Sequence, residues 1–195
     1  GNPNEGCAWT GDLNGVWQLH RHPQFSVLAQ QVVGFAWSYL GELGFDLDRV
    51  ALHLQRCWPV ISDWDQAIGR HHHPNAHLSA VLYLTGSGTG TEGVLRVHAP
   101  QQANELVPGL GAGYGGPIVQ GHPFNQSHWD LEPQPGLLVL FPSSLQHSVL
   151  PNNDPDAPRC SISFDFVLTA PEQGTAPEYL APHPSHWHTL NHPSA

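Results

Sequence analysis

His71-His72-His73-Pro74-Asn75 is the stretch on which the reading of this chain turns. Side chains alternate along an extended segment, so His71 and His73 point one way and His72 the other. Two imidazoles on one face can share a cation. Imidazole suits Zn, Cu, Fe and Ni, so ligand type alone does not select the metal. Far downstream, Phe141-Pro142-Ser143-Ser144-Leu145-Gln146-His147 supplies a lone distal histidine, and Arg159-Cys160-Ser161 follows about a dozen residues later. A buried guanidinium presents a rigid fork of donors that matches a carboxylate bidentately. The sequence thus holds both metal ligands and a clamp for an organic acid.

Composition bounds the rest. At 195 residues and 21.3 kDa the chain is most simply one domain, residues 1–195, large enough to bury a core. Only 11% of residues are charged, and 19 Pro and 20 Gly favour short strands and turns over long exposed helices. A net charge of −10 with six Lys and Arg argues against a nucleic-acid-binding face. Cys7, Cys57 and Cys160 are too few and too scattered for a disulfide framework or a Cys-rich zinc module. No apolar run approaches the roughly 18 residues of a membrane span, and no signal peptide opens the chain. A cytoplasmic protein is the default expectation. The absence of Met, even at the start, suggests numbering that begins inside a longer precursor or after a removed tag.

Residues 1–23 read as an arm laid on the domain. From Phe25 to about Leu43 apolar residues recur at three- and four-residue steps, with Gly44 placed to stop a helix. Strand-like runs follow at Val50 to Cys57, Ser79 to Leu84, Gly93 to His98, Gly136 to Phe141, Ser148 to Leu150 and Cys160 to Leu168. The expectation is a mainly β fold, a sandwich or jelly roll over about 49–168, supported by one N-terminal helix. The connection from Ala99 to Glu132, with Gly109, Gly111, Gly113, Gly115 and Gly116, reads as a mobile loop or lid. Residues 170–195 read as a loosely packed tail, in which His183, His186, His188 and His192 are less suited to a second metal than to solvent. Trp58 and Trp64 read as core aromatics near the barrel edge.

The chain resembles the 2-oxoglutarate and Fe(II)-dependent oxygenases found in bacteria and phages. The residues that carry the likeness run from Thr10-Gly11-Asp12-Leu13 through Trp58, His71-x-His73-Pro74-Asn75, Ser79-Ala80-Val81-Leu82-Tyr83 and Phe141-Pro142 to Arg159-x-Ser161-x-Ser163-Phe164. The resemblance implies a double-stranded β-helix, a cupin-like jelly-roll barrel with iron held inside one open end. It implies Fe(II) as cofactor, with 2-oxoglutarate and O2 as cosubstrates. His71 and His147 match iron ligands and Arg159 the grip on the far carboxylate of 2-oxoglutarate. Ser161 shares the strand face of Arg159, and Tyr83 sits where related prolyl hydroxylases carry a cosubstrate-binding Tyr. The expected reaction is hydroxylation of a small-molecule or peptide substrate, with release of succinate and carbon dioxide.

The family's widespread pattern is H-x-D with a distal His, and here the third position is His73. Three readings stand: His73 is a third ligand, it only lines the pocket beside a two-His site completed by water, or a remote carboxylate (Asp63, Asp65 or Asp130) folds in. His72 is expected to face outward or into packing, and His77, His98, His122 and His128 to be loop or surface histidines. For Arg159 the plain alternative is a surface salt bridge to Asp154 or Asp156. The rival class is a cupin-type metal-binding protein or isomerase without 2-oxoglutarate, which expects an acid soon after the H-x-H pair; Pro74 to Ala80 has none. A homodimer through an edge strand stays open.

Overall fold

A computed structural model describes residues 6–100, 106–107, 110, 117–119, 121–176 and 178–190. A five-stranded antiparallel sheet, in the order β1 (Trp9–Thr10), β2 (Ala51–Ser62), β9 (Arg159–Thr169), β4 (Leu78–Tyr83), β7 (Leu138–Pro142), packs over a four-stranded one. The smaller sheet runs β3 (Ile68–His71), β8 (His147–Val149), β5 (Leu95–His98), β6 (His128–Leu131). This is a double-stranded β-helix, a jelly roll, with one long helix, α1 (Pro23–Glu42), on the outer face of the larger sheet.

The helix forms where the 3.6-residue period and its ends agree. Pro23 occupies the first turn, where its missing N–H costs nothing, and His22 Nδ1 accepts from Gln24 N–H. At the other end Gly44 adopts φ +84, Gly44 N–H bonds Gly41 O and Phe45 N–H bonds Leu40 O, which satisfies the last carbonyls. Ala29, Val32 and Ala36 meet Leu78, Ala80, Leu82, Ile162, Phe164 and Phe166 in one core. The central strands are therefore apolar toward the helix, and a second set, with Val81, Tyr83, Leu95, Phe141 and Val149, packs between the sheets. That double coverage explains why β4 is buried along its whole length.

Strand β2 changes face midway. Leu52 and Leu54 pack on the helix side, and so does Cys57, although the alternation of a regular strand would put Cys57 opposite. A bulge between Leu54 and Arg56 in the pairing with β9 supplies the extra residue. From that point Arg56, Trp58 and Val60 turn into the barrel.

The strands expected from sequence are present with shifted ends, and three more appear. Strand β6 lies within the Ala99 to Glu132 connection read as loop; its four residues alternate too briefly to stand out among Gly and Pro. The glycine cluster from Gly109 to Gly116 and His192 lie outside the described residues. The arm contributes β1, and the tail is tied by Ala170 N–H to Ala181 O and by the His183 ring beside His53. Trp64 is 63% exposed and is no core residue: it sits in the turn after β2, where Asp65 takes φ +61. Among the described residues no helix is long and apolar enough to cross a membrane.

Phe164 is the centre of the helix-side core, 1% exposed and stacked 6.4 Å from Phe166. Phe164→Ala is expected to lower unfolding free energy by about 3–5 kcal/mol in urea titration. A loss below about 1 kcal/mol would mean that α1 does not close this core.

Candidate active site

His71 ends β3, and its Cα partner across the ladder is His147 on β8, so the two rings meet with centroids 4.3 Å apart. His73 lies two residues past the strand, held by its N–H to Ser143 O at 2.9 Å. Its ring stacks on His71 at 5.3 Å with an interplanar angle of 25°. The three side chains each present one ligand atom, all within 4.8 Å of one another, and they line a cavity of about 320 Å³ between the sheets. Among the described residues no other such group of His, Cys, Asp and Glu occurs.

The tautomers follow from the partners. His71 Nδ1 lies 2.8 Å from Gly69 O and His147 Nδ1 2.9 Å from Leu145 O. His73 Nδ1 lies 2.6 Å from Asp165 Oδ1. A carbonyl or a carboxylate oxygen only accepts, so each Nδ1 carries the proton and each Nε2 is left with its lone pair. The Nε2 atoms of His71 and His73 are 3.4 Å apart. Three lone pairs gathered in this way fit a cation. Burial pushes His147 down to about 4 and lowers His71 as well, which keeps those two rings neutral.

Asp165 is the residue that sequence reasoning missed. Its carboxylate is 0% exposed and also accepts from Ser79 Oγ at 2.8 Å and Arg56 Nη2 at 2.5 Å. Burial raises its pKa, but the His73, Ser79 and Arg56 contacts outweigh burial and hold the carboxyl below its ordinary range. The signal was in the chain: the alternation Arg159, Ser161, Ser163 continues to Asp165 on the same face. Asp63, Asp65 and Asp130, the carboxylates considered from sequence, do not join the cluster. Asp130 pairs bidentately with Arg96 at 2.7 Å at the far edge of the smaller sheet, and Asp63 and Asp65 belong to the turn after β2.

Arg159 is 1% exposed and lines the same cavity, which rules out a surface salt bridge to Asp154 or Asp156. Its Nη2 donates to Tyr83 Oη at 3.3 Å, and its guanidinium lies 5.0 Å from the Tyr83 ring centroid. Nε and Nη1 of Arg159 and Oγ of Ser161 are buried and have no partner. Donors left in this condition cost free energy until an acceptor reaches them, and a carboxylate is the acceptor that suits a guanidinium fork. Tyr83 is fully buried behind Arg159, with its hydroxyl pKa raised by burial. Gly93, at φ +74, keeps the space beside the Arg159 stem; a Cβ there would lie 3.2 Å from Arg159 Cδ.

The other histidines read from sequence lie outside the ligand cluster. His72 is exposed and lines the cavity, His77 Nδ1 accepts from Leu168 N–H, His98 meets Ser148 Oγ, His122 accepts from Phe124 N–H, and His128 meets Ser127 Oγ. Trp58 is buried, as expected, and also faces the cavity, its ring 5.8 Å from that of His73.

In the metal-free protein His147 binds a proton more weakly than an unfolded imidazole, which titrates near 6.5. As pH falls the unfolded state gains protons first, so folding stability declines from pH 6.5 toward about 4. Urea titrations of the metal-free protein across that window are expected to show the decline, and His147→Gln to make it shallower, with His71 contributing the remainder. An unchanged slope in the variant would place the titration elsewhere.

A family model described as "Putative 2OG-Fe(II) oxygenase" matches residues 56–165. No curated protein matches the chain. Similar solved structures include a viral collagen prolyl hydroxylase from Paramecium Bursaria Chlorella virus-1 in its 2OG complex, at 9% identity and a TM-score of 0.48 over 82% of this chain and 77% of that one. A Pseudomonas putida prolyl-4-hydroxylase is similar at 22% identity and 0.46, over 71% of this chain and 60% of that one. An oxidoreductase of the 2OG-Fe(II) oxygenase family from Burkholderia pseudomallei is similar at 19% identity and 0.42, over 61% of this chain and 46% of that one. The aligned region thus spans about half the length of the two bacterial proteins. The family match takes in more than half of this chain, from Arg56 to its ion-pair partner Asp165, and on that match the chain belongs to the 2OG-Fe(II) oxygenase family.

Proposed function

We propose that this oxygenase hydroxylates a small organic substrate or a peptide side chain, with Fe(II) held by His71, His73 and His147 and 2-oxoglutarate held by Arg159 and Ser161. The observation that carries the reading is the pairing, in one cavity, of three Nε2 lone pairs with a buried guanidinium that has two unused donors. When bound, Fe(II) and 2-oxoglutarate would supply the oxidation: O2 gives one oxygen atom to succinate and one to a substrate C–H bond, and carbon dioxide is released.

The chain's own part is binding, orientation and exclusion of water. Arg159 neutralises the far carboxylate in a site where water does not screen the attraction. Tyr83, packed against the guanidinium and accepting from Nη2, restrains the fork, and Nε and Nη1 stay without partners of their own. Val81, Leu95 and Val149 give the cavity apolar walls. Asp12 and Leu13 from the arm, with Pro74 and Asn75 after the H-x-H pair, form its more exposed rim. A volume of about 320 Å³ lies at the small end of ligand pockets, which favours a compact substrate or a single side chain over a bulky one. The acid that a cupin-type site would carry soon after its H-x-H pair has no counterpart in Pro74 to Ala80, whereas the buried Arg159 and Ser161 fit a dicarboxylate cosubstrate.

Anaerobic addition of Fe(II) and then 2-oxoglutarate to the metal-free protein is expected to give the visible charge-transfer band of a chelated 2-oxo acid. Arg159→Ala is expected to weaken 2-oxoglutarate binding by about 30-fold or more, as loss of one partner of a buried charge pair costs about 2–5 kcal/mol. His71→Ala and His147→Ala are expected to lose stoichiometric iron. Full metal content in both variants, or iron binding without any band in the wild type, would overturn the assignment.

A further inference from the structure

We propose that Asp165 is a positioning residue of the metal site: through His73 it supplies, from outside the ligand set, the negative charge that the aspartate of an H-x-D site supplies directly. The inference rests on the reading of His71, His73 and His147 as ligands.

Three observations carry it. The three imidazoles differ in what stands behind them: His71 and His147 lean on the neutral carbonyls of Gly69 and Leu145, and His73 alone leans on a carboxylate, at 2.6 Å. That carboxylate is 0% exposed and does not line the cavity, so His73 stands between it and the space where the ligand atoms converge. It is also locked from the other sides. Ser79 Oγ donates to the same Oδ1 at 2.8 Å, and Ser79 Oγ is 2.8 Å from Ser143 Oγ, the hydroxyl of the residue whose carbonyl accepts His73 N–H. Backbone and ring of His73 are thus fixed by one connected network.

The charge arithmetic gives the network a purpose. Three neutral imidazoles leave the full +2 of a divalent ion uncompensated, and a carboxylate hydrogen-bonded to one of them makes that ring a stronger donor. Arg56 opposes this effect. It pairs with Asp165 Oδ2 at 2.5 Å and sits 3.6 Å from Asp12, so it draws the carboxylate's charge away from His73. Changes at Asp165 and Arg56 should therefore move metal affinity in opposite directions, which a packing role would not produce.

The test is titration of the metal-free protein with Co(II) against a competing chelator, read from the visible d–d bands. Asp165→Asn is expected to weaken Co(II) binding by about 10–100-fold, the range for loss of an outer partner of a metal-bound His. Arg56→Gln keeps a donor toward Asp165 without the charge, and its binding is expected to equal or exceed that of the wild type. In a His73→Ala background Asp165→Asn is expected to have no further effect. Should Asp165→Asn fold poorly by circular dichroism, the Arg56→Gln/Asp165→Asn double variant buries no unpaired charge and is expected to show the same weakening relative to Arg56→Gln. Wild-type affinity in a folded Asp165→Asn protein, or equal weakening in Asp165→Asn and Arg56→Gln, would overturn the proposal while leaving the three-His site intact. If His71→Ala and His147→Ala bind Co(II) as the wild type does, it is the ligand assignment itself that fails.

Discussion

Asp165 is a carboxylate without solvent contact in the middle of a sheet, and a charge so placed costs several kcal/mol unless every lone pair finds a donor. Its donors come from three different segments. Arg56 on β2 and Ser79 on β4 are its Cα partners on either side of β9, and His73 reaches it from the loop after β3. The three inner strands and the smaller sheet therefore meet at one anion. Removal of a single partner leaves one lone pair of a buried charge without its donor, so the contacts act as a constraint on how the strands meet and not as a surplus of stability.

The same strand divides the molecule's two tasks. On one face of β9, Ile162, Phe164 and Phe166 hold the helix; on the other, Arg159, Ser161, Ser163 and Asp165 furnish the site. Apolar burial on the outer face stabilises a sheet whose inner face carries the buried charged groups of Arg159 and Asp165 and the hydroxyls of Ser79, Ser161 and Ser163. The arrangement also places Arg159 at one end of the strand and the support of His73 near the other, about 20 Å apart by strand rise, with the long Arg159 side chain and the histidines spanning the difference.

Much of this was legible in the residues. The period of two in Arg159-x-Ser161-x-Ser163 marked an inward polar face, and the 3.6 period up to Gly44 marked the helix, because both signals are local. His71, His73 and His147 were legible as residue types, since imidazole has few other reasons to recur in an H-x-H pair on an apolar sheet. The same period put Asp165 on the inward face, but its contact with His73, 92 positions away, was not legible, because no local pattern announces which loop a strand will meet. Strand β6 and the exposed position of Trp64 were missed for a different reason. Four residues of alternation, or one aromatic ring in a turn, carry too little local information to separate burial from exposure.

The bulge near Gln55 is what reconciles the two halves of β2. Without it Arg56 would share the face of Leu52 and Leu54 and be driven into the helix core, and Cys57 would point at the metal-ligand cluster. A slip of two residues would keep every face correct, so hydrophobic pattern alone does not forbid it. Such a slip would move Asp165 by about 6.7 Å along the strand, away from both Arg56 and Ser79. It would also carry Arg159 past the Gly93 gap and Ser161 away from its partner Tyr83. The apolar faces thus select which side of β9 looks inward, and the row Arg56, Asp165, Ser79 selects where along the sheet it stops. Specification of register by a buried polar row comes at a cost in stability that a hydrophobic row would not incur. That trade is consistent with a fold whose useful groups must be placed to within a fraction of a strand step.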